Sequence, residues 1–375
     1  MKQNWTYKKL GELATITMGQ SPTSDTYNES EGLPFFQGNA DFGKVHPNVR
    51  IYCNAPIRIA DNGDVLISVR APIGAINIAD RKCCIGRGLA AIRGEEKNQS
   101  RFIYYLLLAS KEKLVAQGTG STFKSIGKDA LYNLLMPFVP LATQTRIVSE
   151  LDLLQSIIDK QKAQLKEYDT LAQSIFYDMF GDPVENEKEW EVSHYGAEFE
   201  IGAGGTPSTK VAEYWNDGTI PWIGSNMCQN RVIYETDGKF ITEEGLKHSS
   251  AKMLEPNTVL VALVGATIGK VALLKTQTTT NQNIAFIKQS HKISPTFVFY
   301  HMMSLYDEFM KLGNGDFKMA NQGFIKTLPI ILPPLPLQQS FAAKIESIEK
   351  QKAAISKSIA ETEKLFEYTM DKYFG

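Results

Sequence analysis

Cysteine is scarce in this chain: Cys53, Cys83, Cys84 and Cys228 are the only four in 375 residues, and no two form a Cys-x-x-Cys pair. That excludes a disulfide-built scaffold and a thiolate metal module, and leaves free buried thiols as the expectation. Histidine is nearly as sparse, and His46, His194, His248, His291 and His301 have no ligand spacing, so no metal site is expected. No run approaches the roughly 18 apolar residues of a membrane span, and MKQNWTYKKLGE lacks the apolar stretch of a signal peptide. The expectation is a cytoplasmic protein without membrane contact. An excess of either charge is also missing: 40 Lys and Arg against 41 Asp and Glu give a net charge of −1, which argues against a strongly basic nucleic-acid binder acting alone.

No catalytic motif is complete. Gly265-Ala-Thr-Ile-Gly269-Lys270-Val271 has three residues between its glycines where a phosphate loop needs four, and no Ser or Thr follows the lysine. Its counterpart Ala71-Pro-Ile-Gly74-Ala75 has no lysine, so both read as strand-linking turns. Gly118-Thr-Gly120-Ser121 and Gly202-Ala-Gly204-Gly205 lack the flanking strand, helix and acid of a dinucleotide site.

What the chain does have is a second copy of itself. Trp5 answers to Trp190, and Gly19-Gln20-Ser21-Pro22 to Gly204-Gly205-Thr206-Pro207, at an offset of 185 residues. Pro34, Phe35 and Asn39 match Pro221, Trp222 and Asn226 at 187. Leu89-Ala90 matches Ile284-Ala285 at 195, and Phe123-Lys124, Pro140-Leu141, Gln144 and Phe180-Gly181 recur at 194. A unit this long is far beyond solenoid periods of roughly 20–50 residues, so each copy is expected to own a core.

Each copy divides into a mixed segment and a long helix. Residues 1–140 and 182–333 carry short β-rich runs, such as Asp64-Val-Leu-Ile-Ser-Val69 and Thr258-Val-Leu-Val-Ala-Leu263, between Gly, Pro and Asn turns, with helical stretches at 101–116 and 295–312. The class is α+β, without regular βαβ alternation. Residues 141–181 and 334–375 read as helices, with Pro140 and Pro336 at their starts and Phe180-Gly181-Asp182-Pro183 as the first stop. Apolar residues step by four and three along Ile147, Leu151, Leu154, Ile158, Gln161, Leu165, Tyr168, Ala172, Ile175 and Met179. The second copy repeats this as Phe341, Ile345, Ile348, Lys352, Ile355, Ile359, Thr362, Phe366, Thr369 and Tyr373. A sustained heptad seam predicts a coiled coil. About 38 residues at roughly 1.5 Å each make a helix of about 57 Å, and the seven residues 183–189 cannot return along it, so the two helices are expected to pair antiparallel with the mixed domains at opposite ends.

This order of motifs resembles the specificity subunit of a Type I restriction-modification system. The resemblance rests on the Trp near each module start, Gly-x-[Ser/Thr]-Pro at 19–22 and 204–207, Gly63-Asp-Val-Leu-Ile-Ser-Val69, Gly120-Ser-Thr-Phe-Lys124, Pro140-Leu-x-x-Gln144 and Phe180-Gly181-Asp182-Pro183. It covers nearly the whole chain. It implies two target-recognition domains, each reading half of a split double-stranded DNA sequence, joined by two helices that form an antiparallel coiled coil and set the spacing. It further implies two methyltransferase subunits docked on this chain and restriction subunits joining them. S-adenosylmethionine, ATP and Mg are then expected on those partners, with no cofactor and no catalytic residue here. The second copy departs from the first at Thr258, in place of Asp64, and at Gly315-Asp316 before Phe317-Lys318.

If the copies read different half-sites, equivalent polar loop positions should differ. Gln37 faces Gly224, Arg70 faces Val264 and Arg87 faces Gln282, while Asn39 and Asn226 agree. Arginine bonds guanine bidentately and Gln or Asn bonds adenine, each pairing contributing roughly 1–3 kcal/mol of discrimination. Asn281 and Asn283 flank Gln282, and three amides in a row also suit a simple turn. Lys124 and Lys318 suit phosphate anchoring, and Gln20, Ser21, Thr206 and Ser208 suit either phosphate donation or a turn held by hydroxyls. The seam residues Leu151, Leu154, Ile158, Leu165, Ile175, Ile345, Ile348, Ile355, Ile359 and Phe366 are expected in the coiled-coil core. The competing class is a duplicated protein-interaction scaffold that does not bind DNA.

Overall fold

The computed structural model describes residues 5–95, 99–118, 125–312 and 319–375. The chain divides into two compact units, residues 1–162 with 356–375, and residues 163–355. Each long helix contributes to both units: the first is Leu141–Phe180 and the second Leu335–Phe374, 40 residues each.

In the first unit a four-stranded antiparallel sheet runs in the order Ala14–Met18, Leu89–Gly94, Val65–Ser68, Ile76–Ile78. The run Val65–Ser68 is buried throughout because both faces of the strand are covered. Val65 and Ile67 join the core that holds Phe102, Ile147 and Phe374, whereas Leu66 joins a separate one with Phe36 and Ile85. A second sheet of five short strands pairs Leu33–Phe36 parallel with Cys83–Ile85. The second unit repeats the plan. Ile201–Ala203, Ile284–Ile287, Val259–Ala262 and Val271–Leu274 form the same strand order, and Ile220–Ile223 pairs parallel with Thr279–Thr280. Val259 and Val261 again face one core, and Leu260 and Ala262 another.

Each shorter helical stretch is two helices where one was expected: Gln99–Ala109 with Lys111–Ala116, and Pro295–Ser304 with Tyr306–Met310. At the second break Leu305 N–H bonds back to Met302 at 3.3 Å, a three-residue step that tightens the turn and redirects the chain. The Asp64 and Thr258 departure also has a local account. Both close a tight turn, bonding N–H back to the Asp61 and Glu255 carbonyls three residues earlier. Asp64 takes two 2.7 Å bonds from Arg93, while Thr258 donates to the Glu255 carbonyl at 2.7 Å and needs no cation.

Within each unit the two long helices pair antiparallel. In the first, Gln161 Nε2 donates to Ser358 Oγ at 2.8 Å, and Tyr373 O–H donates to Glu150 at 2.7 Å, so partner numbers fall as the first helix advances. In the second, Tyr168 meets Gln351, Lys352 meets Asp169 at 2.7 Å, and Phe180 packs on Phe341 with centroids 5.4 Å apart.

The buried seam is only partly the expected one. Leu151, Leu154, Ile158, Ile345, Ile348 and Ile359 are buried, but Leu165, Ile175, Ile355 and Phe366 are half-buried. Towards its C-terminus the first helix buries Ala172 of the expected seam, and then Phe176 and Phe180 instead of Ile175 and Met179. A helix of 3.6 residues per turn drifts from a strict heptad, and here it turns its face towards the sheet-side core containing Phe297 and Phe341. Its end is set by Gly181 at φ +75°, by Lys188 Nζ on the Asp178 carbonyl at 2.6 Å, and by Trp190 Nε1 on the Phe180 carbonyl at 2.9 Å. Among the described residues no helix is long and apolar enough to cross a membrane.

Candidate nucleic-acid interface

Two loops far apart in sequence meet in each unit, held by one hydrogen-bond frame used twice. In the first unit the Gly19 and Gln20 N–H groups bond the Leu89 and Ile85 carbonyls at 2.9 and 3.0 Å. In the second, Gly204 and Gly205 bond Ile284 and Thr280 at 3.1 and 2.8 Å. Gly86 N–H reaches the Phe36 carbonyl at 2.8 Å, as Asn281 reaches Ile223 at 3.0 Å. Val69 N–H reaches the Gly88 carbonyl at 2.9 Å, as Leu263 reaches Asn283 at 2.8 Å. One further bond closes the frame in each unit: Ile126 N–H bonds the Val69 carbonyl at 3.0 Å and Ala320 N–H bonds the Leu263 carbonyl at 2.9 Å. These bonds place Arg87 and Gln282 at the same point of two equivalent loops, both exposed.

The packing beneath the two tips differs in a compensating way. A Cβ on Gly88 would lie 2.3 Å from the Gln37 carbonyl oxygen, and one on Gly86 would lie 3.1 Å from Ser21 Oγ. Glycine is therefore required beside Gln37. The second unit carries Asn281 and Asn283 at those positions, and its chain runs from Ile223 straight to Gly224, the counterpart of Gly38, with no residue in the place of Gln37. Bulk has moved from one side of the contact to the other.

The exposed polar set thus gathers as Gln20, Gln37 and Arg87 around half-buried Ser21, and as Asn226 and Gln282 beside half-buried Thr206 and Asn281. Arg70 is exposed next to the same frame, bridged to Ser125, while its counterpart Val264 is bridged to Met319, which is 73% exposed. Asn281 is committed to its own turn, since its Oδ1 accepts the Asn283 N–H at 3.1 Å. Ser208 is exposed, and its carbonyl accepts Trp215 Nε1–H at 3.2 Å. Asn39 and Asn226 are not equivalent: the turns they occupy are Asn39–Asp41 and Ser225–Met227, so Asn39 opens its turn and Asn226 is second in the other. The extra residue ahead of the first turn is Gln37, which one-residue sequence matching could not place. Lys124 and Lys318 lie outside the described residues.

Several supporting residues went unnoticed in the sequence. Asp41 is 2% exposed, accepts the Gln37 N–H at 2.7 Å and pairs with Arg50 Nε at 2.7 Å, which fixes the Gln37 backbone. Tyr27 O–H donates to the Pro22 carbonyl at 2.8 Å, bracing the loop from below. Burial raises the Tyr27 phenol above its usual pKa, with the nearby Cys53 and Cys84 adding to the rise and Arg87 opposing it. Trp222 Nε1 bonds the Gly205 carbonyl at 3.0 Å and does the same service in the second unit. Asp41 is the third residue of its turn and reaches back to the Gly38 N–H at 3.3 Å, a capping-box spacing that could have been read.

Burial pushes the Cys83 and Cys228 thiols up to about 12 and Cys84 up to about 11, so none is a thiolate near neutrality. Among the described residues no group of three or more His, Cys, Asp or Glu is placed to hold a metal ion. What the arrangement offers is hydrogen bonding: a guanidinium at one tip and a carboxamide at the other, each on a backbone held by both flanking loops.

Comparison with known proteins bears on this geometry. Residues 2–167 and 187–364 match the family model described as Type I restriction modification DNA specificity domain. A protein of Methanocaldococcus jannaschii, provisionally named the type I restriction enzyme MjaX specificity subunit, is 43% identical over 171 residues, 44% of this chain and 40% of that protein. The EcoR124I/EcoR124II specificity subunit of Escherichia coli is 31% identical over 177 residues, 44% of this chain and 41% of that protein. Both matches therefore span less than half of the relative's length. In three dimensions the chain is similar to the S subunit of the Type-I restriction-modification system of M. genitalium, with a TM-score of 0.59 and 14% identity over 99% of this chain and 96% of the other.

Proposed function

The chain belongs to the type I restriction-modification DNA specificity family, carrying two of its domains, and from that premise we propose that it is the sequence-reading subunit of such a system. Each unit reads one half of a bipartite double-stranded DNA target through the loops that carry Arg87 and Gln282. The observation that carries this is the repeated frame with unlike tips. Identical backbone bonds hold the two loops, so the scaffold presents a reading position in the same way twice, while the chemistry at that position changes from guanidinium to carboxamide. Arginine suits guanine O6 and N7, and glutamine suits adenine N6 and N7.

The near-zero net charge fits a division of labour. Phosphate contacts supply the salt-dependent, sequence-independent part of affinity, and partner subunits contribute much of it. Two methyltransferase subunits dock on the chain and restriction subunits join them; S-adenosylmethionine, ATP and Mg belong to those partners, and this chain contributes no catalytic group. The long helices pass from one unit into the other and set the spacing between the half-sites.

The test is adenine modification mapped by sequencing, with this chain and a methyltransferase partner expressed together and apart. A two-part motif that requires this chain is expected. Arg87→Gln should alter the first half-site alone, by roughly 5- to 150-fold at one base pair. Modification that ignores the chain, or a chain that binds the partner without directing it to DNA, would replace this reading with the protein scaffold.

A further inference from the structure

In both units the hydroxyl of the Gly-x-[Ser/Thr]-Pro loop touches the residue at the tip, but it touches different atoms. Ser21 Oγ accepts the backbone N–H of Arg87 at 3.2 Å, so it holds main chain and that bond does not involve the guanidinium. Thr206 O–H donates to the side-chain Oε1 of Gln282. We infer that Thr206 is a positioning residue that holds the Gln282 carboxamide in one arrangement, and thereby determines which base pair the second unit selects at that point. The inference rests on the DNA-reading function proposed above.

A free glutamine side chain samples many rotamers and offers donor and acceptor in several directions. Tethered through one lone pair of Oε1, the exposed amide keeps its second lone pair and both Nε2 hydrogens for other partners. That is the acceptor-and-donor pair that adenine N6 and N7 require, whereas guanine presents two acceptors, O6 and N7. Holding the amide before DNA arrives also removes the ordering cost from binding, which favours the matching base over others.

The anchor itself has no slack. Gly204 and Gly205 are bonded to Ile284 and Thr280, and a Cβ on either would lie 2.1 Å from Thr280 Oγ1 or 2.3 Å from the Ala251 nitrogen. Trp222 Nε1 holds the Gly205 carbonyl from the other side at 3.0 Å. Thr206 is therefore fixed relative to Gln282 although 76 residues separate them. Among the described residues of the first unit the loop hydroxyl, Ser21 Oγ, bonds the Arg87 backbone and not its side chain, so the effect belongs to one half-site.

The experiment compares Thr206→Val, which keeps the shape and loses the hydroxyl, with Thr206→Ser, which keeps the hydroxyl, in the chain assembled with its methyltransferase partner. Modified adenines are mapped and rates measured on duplexes differing at single base pairs. Thr206→Val is expected to lower discrimination at one base pair of the second half-site by roughly 3- to 10-fold, the range of one hydrogen bond. The first half-site should not change, and Thr206→Ser should behave as the unaltered chain. Gln282→Ala should relax the same base pair, and adding Thr206→Val to it should change nothing further. Unchanged discrimination in Thr206→Val, an equal loss at every site, or relaxation at a base pair that Gln282→Ala leaves alone would each overturn the positioning role. Failure of the unaltered chain to direct any sequence-specific modification is a separate result and would overturn the reading beneath it.

Discussion

Acid should weaken the second unit through one buried imidazole. His301 sits in the helix Pro295–Ser304 at 1% exposure, with Nδ1 3.0 Å from the Tyr195 hydroxyl and Nε2 accepting the Ile331 N–H at 3.3 Å. A neutral ring with Nε2 as acceptor carries its proton on Nδ1, which donates to the Tyr195 oxygen. Burial pushes the His301 pKa down to about 3. An unfolded histidine titrates near 6.5, so below that pH the unfolded chain takes up a proton that the folded chain refuses. The contribution is complete above about pH 6.5 and is lost as pH falls towards about 3; the loss reaches about 2 kcal/mol at pH 5 and about 3 kcal/mol at pH 4. Urea unfolding followed by tryptophan fluorescence reads this unit well, since Trp190, Trp215 and Trp222 lie in it and Trp5 alone lies in the other. His301→Gln keeps an acceptor for Ile331 but does not titrate. It should cost about 1–3 kcal/mol at pH 7 through imperfect bonding and then hold steady to pH 5. Equal slopes for the two proteins between pH 7 and pH 5 would refute the argument.

Phe341 is fully buried, with centroids 5.6, 5.4 and 5.2 Å from Phe176, Phe180 and Tyr300. Phe341→Ala should destabilise the second unit by about 3–5 kcal/mol in calorimetry, and a loss below 1 kcal/mol would mean the helix contact is loose. Arg93→Met leaves the buried Asp64 carboxylate without its cation; because the guanidinium side is half-exposed, a loss of about 1–3 kcal/mol is expected, read as faster hydrogen exchange across residues 59–94. Unchanged exchange there would mean solvent already satisfies Asp64. Inserting one helical turn into both long helices should lengthen the spacer of the modified motif and leave both half-sequences intact. A spacer of unchanged length would remove the helices as its determinant.

Much of the fold is written in local patterns. Asp64-Val-Leu-Ile-Ser-Val69 reads as a strand because a run covered on both faces is apolar without alternation, and the two cores that share Val65, Leu66 and Ile67 are the reason. Pro140 and Gly181 bracket the helix Leu141–Phe180 because proline lacks the N–H an interior needs and glycine adopts the positive φ of the stop. The heptad count was less reliable near Ile175. Burial there answers to Phe297 and Phe341, residues more than 100 positions away in sequence, and no period within the helix encodes them.

The candidate site follows the same division. Duplication, the short loops and the unlike residues Arg87 and Gln282 are properties of the linear chain, since they need only comparison of one stretch with another. That Ser21 holds a backbone N–H while Thr206 holds a side-chain oxygen is decided by the tertiary structure alone. Those contacts join loops 66 and 76 residues apart, and their geometry depends on which side of the contact carries bulk, Gln37 in one unit and Asn281 with Asn283 in the other. Backbone hydrogen bonds repeat because any sequence supplies N–H and C=O groups, whereas side-chain contacts differ because each residue brings its own length and polarity.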